Sequence, residues 1–249
     1  MPAIFVHGNP ESSAIWELMI PKLERQDVIT LSPPGFGAPT TEGWGGTRVE
    51  YVNWLVSELE KINDPIDLVG HDWGAGHVAG VALTRPDLLN SWCIDLAGLF
   101  HKDYEWHDMA QAWQTESVGE QVVAAMITPP LEDKINNLKG LVDGMTNSIA
   151  TQMAKAQNEE MGRCILNLYR DTAQPVMRNL GNDVSVMRQT KGHVIIAEQD
   201  HYVGTEAMAR HTAERAGASV SYLEAVGHWW MIQNPQLGAD TLNNFWRSL

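Results

Sequence analysis

At 249 residues, with 44% hydrophobic content and 10 tryptophans, the chain is long enough to bury one sizeable core, and α/β folds of this size are commonly single domains. Lys and Arg number 17 against 31 Asp and Glu, a formal charge of -14, which argues against nucleic acid or an anionic membrane surface as a partner. Cys93 and Cys164 lie in apolar segments without CxxC or Cys/His spacing, the pattern of buried free thiols in a reducing compartment rather than of a disulfide or metal site.

The opening "MPAIFVHGNP" has no basic region, and its apolar run Ala3 to Val6 is too short for the core of a signal peptide. No stretch approaches the roughly 20 apolar residues of a membrane span, so a cytoplasmic protein is expected. Strand-like runs then alternate with helical ones: "AIFV" (3 to 6), "DVITLS" (27 to 32), "IDLVG" (66 to 70), "SWCIDLAG" (91 to 98), "GHVIIAE" (192 to 198) and "SVSYLEA" (219 to 225). Between and after them, "SAIWELMIPKLE", "RVEYVNWLVSELEKI", "GHVAGVALTRPDLL", "GTEAMARHTAERAG" and "NPQLGADTLNNFWRSL" supply helices, with Thr205 a cap before Glu206. Such alternation predicts a parallel sheet wrapped by helices. From 99 to 190 the pattern is helical only, through "EWHDMAQAWQ", "GEQVVAAMI", "LEDKINNLKGLVDGMTNSIATQMAKAQ" and "MGRCILNLYRDTAQPVMRNL". A single crossover needs only a dozen or so residues, so this stretch reads as a helical cap (99–190) inserted into a core made of 1–98 and 191–249. It would lie over the C-terminal edge of the sheet, where α/β ligand sites are found.

Chemistry-bearing residues fall at the ends of the predicted strands. "VHGNP" follows the first; Gly8 permits a tight turn that can aim the Asn9 N–H into a pocket. "GHDWG" (70 to 74) follows the third and has the Gly-x-nucleophile-x-Gly form of a strand-to-helix elbow, with Asp72 at its apex. Asp200 follows "VIIAEQ" and His228 follows "YLEAVG". Nucleophile, acid, histidine is the chain order of an α/β-hydrolase triad. Taken singly, Asp72 is also a good turn or helix-cap residue and Asn9 a good turn residue. Joint placement in the right order is what assigns Asp72, Asp200 and His228 to one site. Trp106, Trp113, Trp229 and Trp230 read as pocket walls for an apolar substrate, although core packing accounts for any one of them equally well.

These stretches resemble the α/β-hydrolase superfamily, and within it the branch with an aspartate nucleophile, which includes haloalkane dehalogenases and epoxide hydrolases. "HGNPESSAIW" is similar to the dehalogenase pattern HGNPTSSxxW, "GHDWG" matches the elbow of both groups, and "AQAWQTESVGE" resembles the dehalogenase run FQAFRTxDVG. The resemblance implies that Asp72 attacks a saturated carbon to form an alkyl ester. His228, oriented by Asp200, then activates water to hydrolyse it, with the Asn9 and Trp73 backbone N–H groups as oxyanion hole. It implies a halide held by the Asn9 amide and the Trp73 indole N–H. For epoxides the acid is usually a pair of cap tyrosines; Tyr169, in "LNLYRDT", resembles one of them, while the other position falls at Ala112 or Trp113.

Three departures from the family stand out. The chain begins directly at the strand before "HGNP", so the usual first two strands are expected to be missing and a sheet of about six strands to remain. Pro33 stands where an aspartate is common. Asp95, in "CIDL", resembles the acid position of some dehalogenases and competes with Asp200; because it lies inside "WCIDLAG", Asp200 is preferred. No nucleotide, metal or flavin motif is present, and "GWGG" (43 to 46) lacks the strand-and-helix context of a phosphate loop. The expected function is haloalkane dehalogenase-type hydrolysis of a small apolar organic substrate with water and no cofactor. The alternatives are an epoxide hydrolase with Tyr169 as acid and, from another class, a non-catalytic binding protein of the same fold. The oligomeric state is not legible.

Overall fold

The structure is a computed structural model describing residues 1–249. Six strands, β1 (Ala3–Val6), β2 (Val28–Leu31), β3 (Ile66–Gly70), β4 (Leu89–Ile94), β5 (Lys191–Ala197) and β6 (Ser219–Leu223), form one sheet of order β2-β1-β3-β4-β5-β6. Every neighbouring pair is parallel. Parallel sheets need cover on both faces, so their inner strands are apolar throughout, and β1 and β3 are buried along their whole length. Side chains alternate between two cores: Ile4 and Val6 join one, Ala3 and Phe5 the other.

The helices follow in chain order. α1 (Arg48–Leu59) starts from a Thr47/Glu50 capping box, and α2 (Trp73–Thr84) leaves β3. Between β4 and β5 come α3 (Asp108–Gln114), α4 (Val118–Ile127), α5 (Leu131–Leu141), α6 (Asn147–Ala156), α7 (Glu159–Asp171) and α8 (Val176–Leu180), with no strand among them. α9 (Glu206–Ala216), capped by the Thr205 hydroxyl as expected, α10 (Trp230–Gln233) and α11 (Pro235–Arg247) complete the chain. The helical segment serves both cores. Trp113, Val123 and Leu168 join the core that holds α1 and α2, whereas Leu138, Ile149 and Met153 join the one that holds α11.

Boundaries differ from expectation where proline and glycine intervene. "SAIWELMIPKLE" forms only short 3-10 turns, Ser13–Trp16 and Ile20–Lys22, because Pro21 has no N–H to continue a helix. The long run from 131 divides into α5 and α6 around Gly144, which takes φ +81. α7 ends ahead of Pro175, and β4 stops at Ile94, so Asp95 is the first residue past the strand. Both cysteines are buried and unbonded to each other. No helix is long and apolar enough to cross a membrane.

Candidate active site

Strand register brings the site together. Val6 sits opposite Gly70, so the loop after β1 and the elbow after β3 leave the sheet side by side. Asp72 is forced to φ 49, a conformation that costs a side chain about 1–3 kcal/mol and persists only where the surroundings impose it. The clamp is steric: a Cβ on Gly74 would stand 2.1 Å from the Val6 carbonyl oxygen, and one on Gly8 would stand 2.1 Å from Asp72 Oδ1. Although Asp72 occupies the N-cap position of α2, its side chain caps nothing. The carboxylate turns instead to the Asn9 N–H, which donates to Oδ1 at 2.9 Å. The Trp73 N–H, expected as the second donor, makes no bond to it.

His228 lies across from Asp72. Its Nδ1 donates to Asp200 Oδ2 at 2.8 Å, and the other oxygen of Asp200 accepts the Tyr202 N–H at 2.9 Å. This fixes the tautomer and turns Nε2 toward Asp72 Oδ2, 3.8 Å away, too far for a hydrogen bond. Burial raises Asp72 to about 6, against the opposing pull of His228. Asp200 is also pushed up by burial, but the His228 charge and hydrogen bond prevail and leave it below its ordinary value. His228 is pulled down by burial and by His71, yet the charges of Asp200 and Asp72 lift it above its ordinary value.

The competing acid is engaged elsewhere. Asp95 Oδ1 accepts the Asp72 N–H at 3.0 Å, and Oδ2 accepts from His71 Nδ1 at 2.5 Å and Trp230 Nε1 at 2.9 Å. The position given to Asp95 above, inside a strand, is therefore corrected: it sits past the strand end and braces the elbow. His71, with 0% of its surface exposed, bridges Asp95 to Glu11 Oε1, 3.2 Å from Nε2. Glu11 in turn accepts the Gly8 N–H and the Trp229 indole N–H. Burial opposes the charge on His71, but Asp95 and Glu11 together lift it well above its ordinary value. Glu11 is lowered to about 2, burial being outweighed chiefly by His71. Glu11, His71 and His228 come close enough together to suggest metal ligands, yet both ring nitrogens of His71 are already committed to carboxylates, so the group is wired as an ion pair. Sequence reasoning missed this buried network; "NPESS" and the histidine of "GHDWG" were its only traces.

Asp72 borders a cavity of about 400 Å³ whose walls include Asn9, Trp113, Met153, Tyr169 and Trp229. A separate nook of about 10 Å³ beside Asp72 is shared by Trp73, Trp106 and Tyr169, about the space one water-sized atom requires. Both polar atoms of the Asn9 side chain, and the indole N–H groups of Trp106 and Trp113, have no hydrogen-bond partner in the protein. Tyr169 meets Trp73 edge-on at 5.7 Å and Trp113 at 4.7 Å. Burial, reinforced by the Asp72 charge, pushes its phenol well above the ordinary value, so it stays protonated. Trp230 is no pocket wall: it is 1% exposed, packed on Trp16 with its N–H on Asp95.

The comparisons agree with this architecture. The chain is 28% identical over 105 residues to (E)-2-((N-methylformamido)methylene)succinate hydrolase of Acinetobacter baylyi, 41% of this chain and 40% of that one. It is 30% identical over 141 residues to coelenterazine h 2-monooxygenase of Renilla reniformis (55% and 39%). Over 100 residues it is 32% identical to an epoxide hydrolase of Caballeronia sordidicola (34% and 28%). These matches thus span 28% to 40% of the relatives' own length. Among solved structures, a reconstructed ancestral haloalkane dehalogenase superposes with a TM-score of 0.75 at 20% identity, covering 99% of this chain and 91% of that one, a likeness of fold. The profile of the alpha/beta hydrolase family matches residues 3–241, nearly the whole chain: the protein is an enzyme of the alpha/beta hydrolase family.

Proposed function

We propose that this enzyme hydrolyses a carbon–halogen bond at a saturated carbon through an ester of Asp72. One observation carries the reading: a carboxylate, free of any capping role, held at Oδ1 by the Asn9 N–H and facing a triad histidine across 3.8 Å at the wall of an apolar cavity. A serine at this elbow would need a base before it could attack, whereas Asp72, at about 6, is largely ionised at neutral pH.

In the first step an Oδ2 lone pair of Asp72 forms the C–O bond while the C–X bond breaks and the halide departs with its electrons. The unpartnered Asn9 amide N–H and the Trp73 indole beside the nook supply donors that have no proton to give, which suits an anion that needs none. Esterification removes the Asp72 charge, one of the influences raising His228, so alkylation itself moves the imidazole toward its neutral, basic form. His228 Nε2 then takes a proton from water as the water oxygen attacks Cγ, and the developing oxyanion on Oδ1 rests on the Asn9 N–H. Collapse expels the alkoxide, which recovers the proton from His228. Asp72 returns as a carboxylate carrying one water-derived oxygen, with one proton released to solvent.

Tyr169 favours a second reading, epoxide opening, because its protonated phenol borders the same cavity and nook and could protonate an alkoxide. Bromide release from short bromoalkanes, run beside diol formation from styrene oxide, separates the two. The expected result is bromide release, lost in Asp72→Asn and cut at least about tenfold in Asn9→Ala and Trp73→Phe, the scale of one lost charge-assisted donor. Diol formation that depends on Tyr169 overturns the halide reading in favour of the epoxide one. A single turnover in ¹⁸O-water tests the ester directly: the label must enter Asp72, and a first-turnover alcohol bearing ¹⁸O excludes the mechanism.

A further inference from the structure

The cavity beside Asp72 is apolar over most of its wall but is bordered by one lysine. Lys134, on α5, borders the same space as Asn9, Asp72 and His228, and it is the sole lysine or arginine to do so. Its Nζ donates to two main-chain carbonyls, Gln157 at 2.9 Å and Ile127 at 3.4 Å, and to no carboxylate. Glu132 and Asp133 lie beside it in the first turn of α5, exposed and unpaired with it. The two carbonyls, one at the end of α4 and one in the turn between α6 and α7, pin a flexible side chain at the cavity wall. An ammonium carries three N–H donors, and two carbonyls leave one donor unused and the charge uncompensated by any carboxylate.

A cation held this way is notable in a chain of formal charge -14, whose overall field repels anions. In apolar surroundings an ammonium attracts a carboxylate far more strongly than it does in water. Lys134 belongs to the helical layer and Asp72 to the sheet edge, so the cavity joins a nucleophile on one side to a fixed positive charge on the other. We propose that Lys134 receives the carboxylate of an ω-substituted alkanoate whose opposite end presents the reacting carbon to Asp72. This assignment rests on the displacement reading given above and names its substrate class.

The test compares bromide release from 6-bromohexanoate and 6-bromohexan-1-ol by the wild-type enzyme, Lys134→Met and Lys134→Arg. The wild type is expected to favour the acid in kcat/KM. Lys134→Met should lower that preference about tenfold, the scale of one charge-assisted hydrogen bond, acting through KM for the acid rather than kcat, while Lys134→Arg retains it. A preference that is absent in the wild type or unchanged in Lys134→Met overturns the proposal. If neither compound releases bromide, the displacement reading has failed on its own, and the subsite is then judged by binding. Hexanoate and hexan-1-ol are titrated against the fluorescence of the tryptophans at the cavity wall. Support is a Kd for hexanoate at least about fivefold higher in Lys134→Met with no matching change for hexan-1-ol; an equal Kd for hexanoate in the two proteins overturns it.

Discussion

Asp72 is a liability to the fold. Its unfolded-state value lies near 3.8 and burial holds it at about 6 when folded, so above pH 6 the native state carries a charge that burial disfavours. By linkage, stability falls as pH rises from 4 to 6, because only the folded form holds the proton in that interval. Asp72→Asn should therefore stabilise the protein at pH 7 by about 2 kcal/mol, at roughly 1.4 kcal/mol per unit with some discount for the His228 pair. The gain should shrink below pH 6 and vanish near pH 4, as followed by urea unfolding across that range; no gain at pH 7 would refute the cost assigned to Asp72. His71 acts on the same centre by charge. Held cationic between Asp95 and Glu11, with its ring 4.6 Å from that of His228, it lowers both Asp72 and His228. In His71→Gln, the pH at which His228 becomes basic should move upward, measured as the acid limb of ester breakdown in single turnovers; an unmoved limb would show that His71 only packs.

At the scale of elements, the site depends on how closely two loops approach. Ala at Gly74 would bring a Cβ against the Val6 carbonyl, backbone against backbone, with no flexible atom to yield. Gly74→Ala should cost about 1–3 kcal/mol and impair activity by displacing Asp72 from the Asn9 N–H. Gly140, exposed within α5 with nothing within 4 Å of an added Cβ, makes the contrasting case: Gly140→Ala should gain about 0.5–1 kcal/mol from helix propensity. Thermal unfolding of both variants checks the pair, and equal effects would disprove the steric account. The same contrast explains what was legible beforehand. The elbow and the "HGNP" loop announce themselves because their backbone shapes demand glycine at fixed spacing, and Asp200 and His228 because they follow strands. The Glu11–His71–Asp95 network did not, since its members come from three loops that meet only through the register of β1, β3 and β4. Asp95 was misplaced by the position of a strand end, the least determined part of an element. The cavity and Lys134 depend on how α4, α5 and α6 pack, which periodicity does not specify.

For the whole molecule, the balance of buried titratable groups sets its tolerance of acid. His7, His77, His193 and His107 are pushed down by burial to about 4, 3, 4 and 4; the first three are buried at 4% exposure or less and His107 is half-buried. In the unfolded chain each binds a proton below about 6.5, while in the fold each stays neutral until far lower pH, so stability is lost as pH falls through this window. Asp72 works in the opposite sense between 6 and 4, as the fold takes up a proton that the unfolded chain does not. His71 and His228, raised in the fold, are protonated in both states at these pH values and add no slope. Four protons bound on unfolding against one released leave about three, or roughly 4 kcal/mol lost per pH unit between 6 and 4.5. Against a total stability of about 5–15 kcal/mol, that slope removes about 6 kcal/mol between pH 6 and 4.5, enough to unfold a protein at the lower end of that range. Urea midpoints at pH 7, 6 and 5 should decline steeply over the last interval, and Asp72→Asn, which removes the opposing proton, should steepen the decline to about four protons. A flat profile between pH 6 and 5 would mean that the four histidines gain protons within the fold, and so that the packing around them opens more readily than their burial implies.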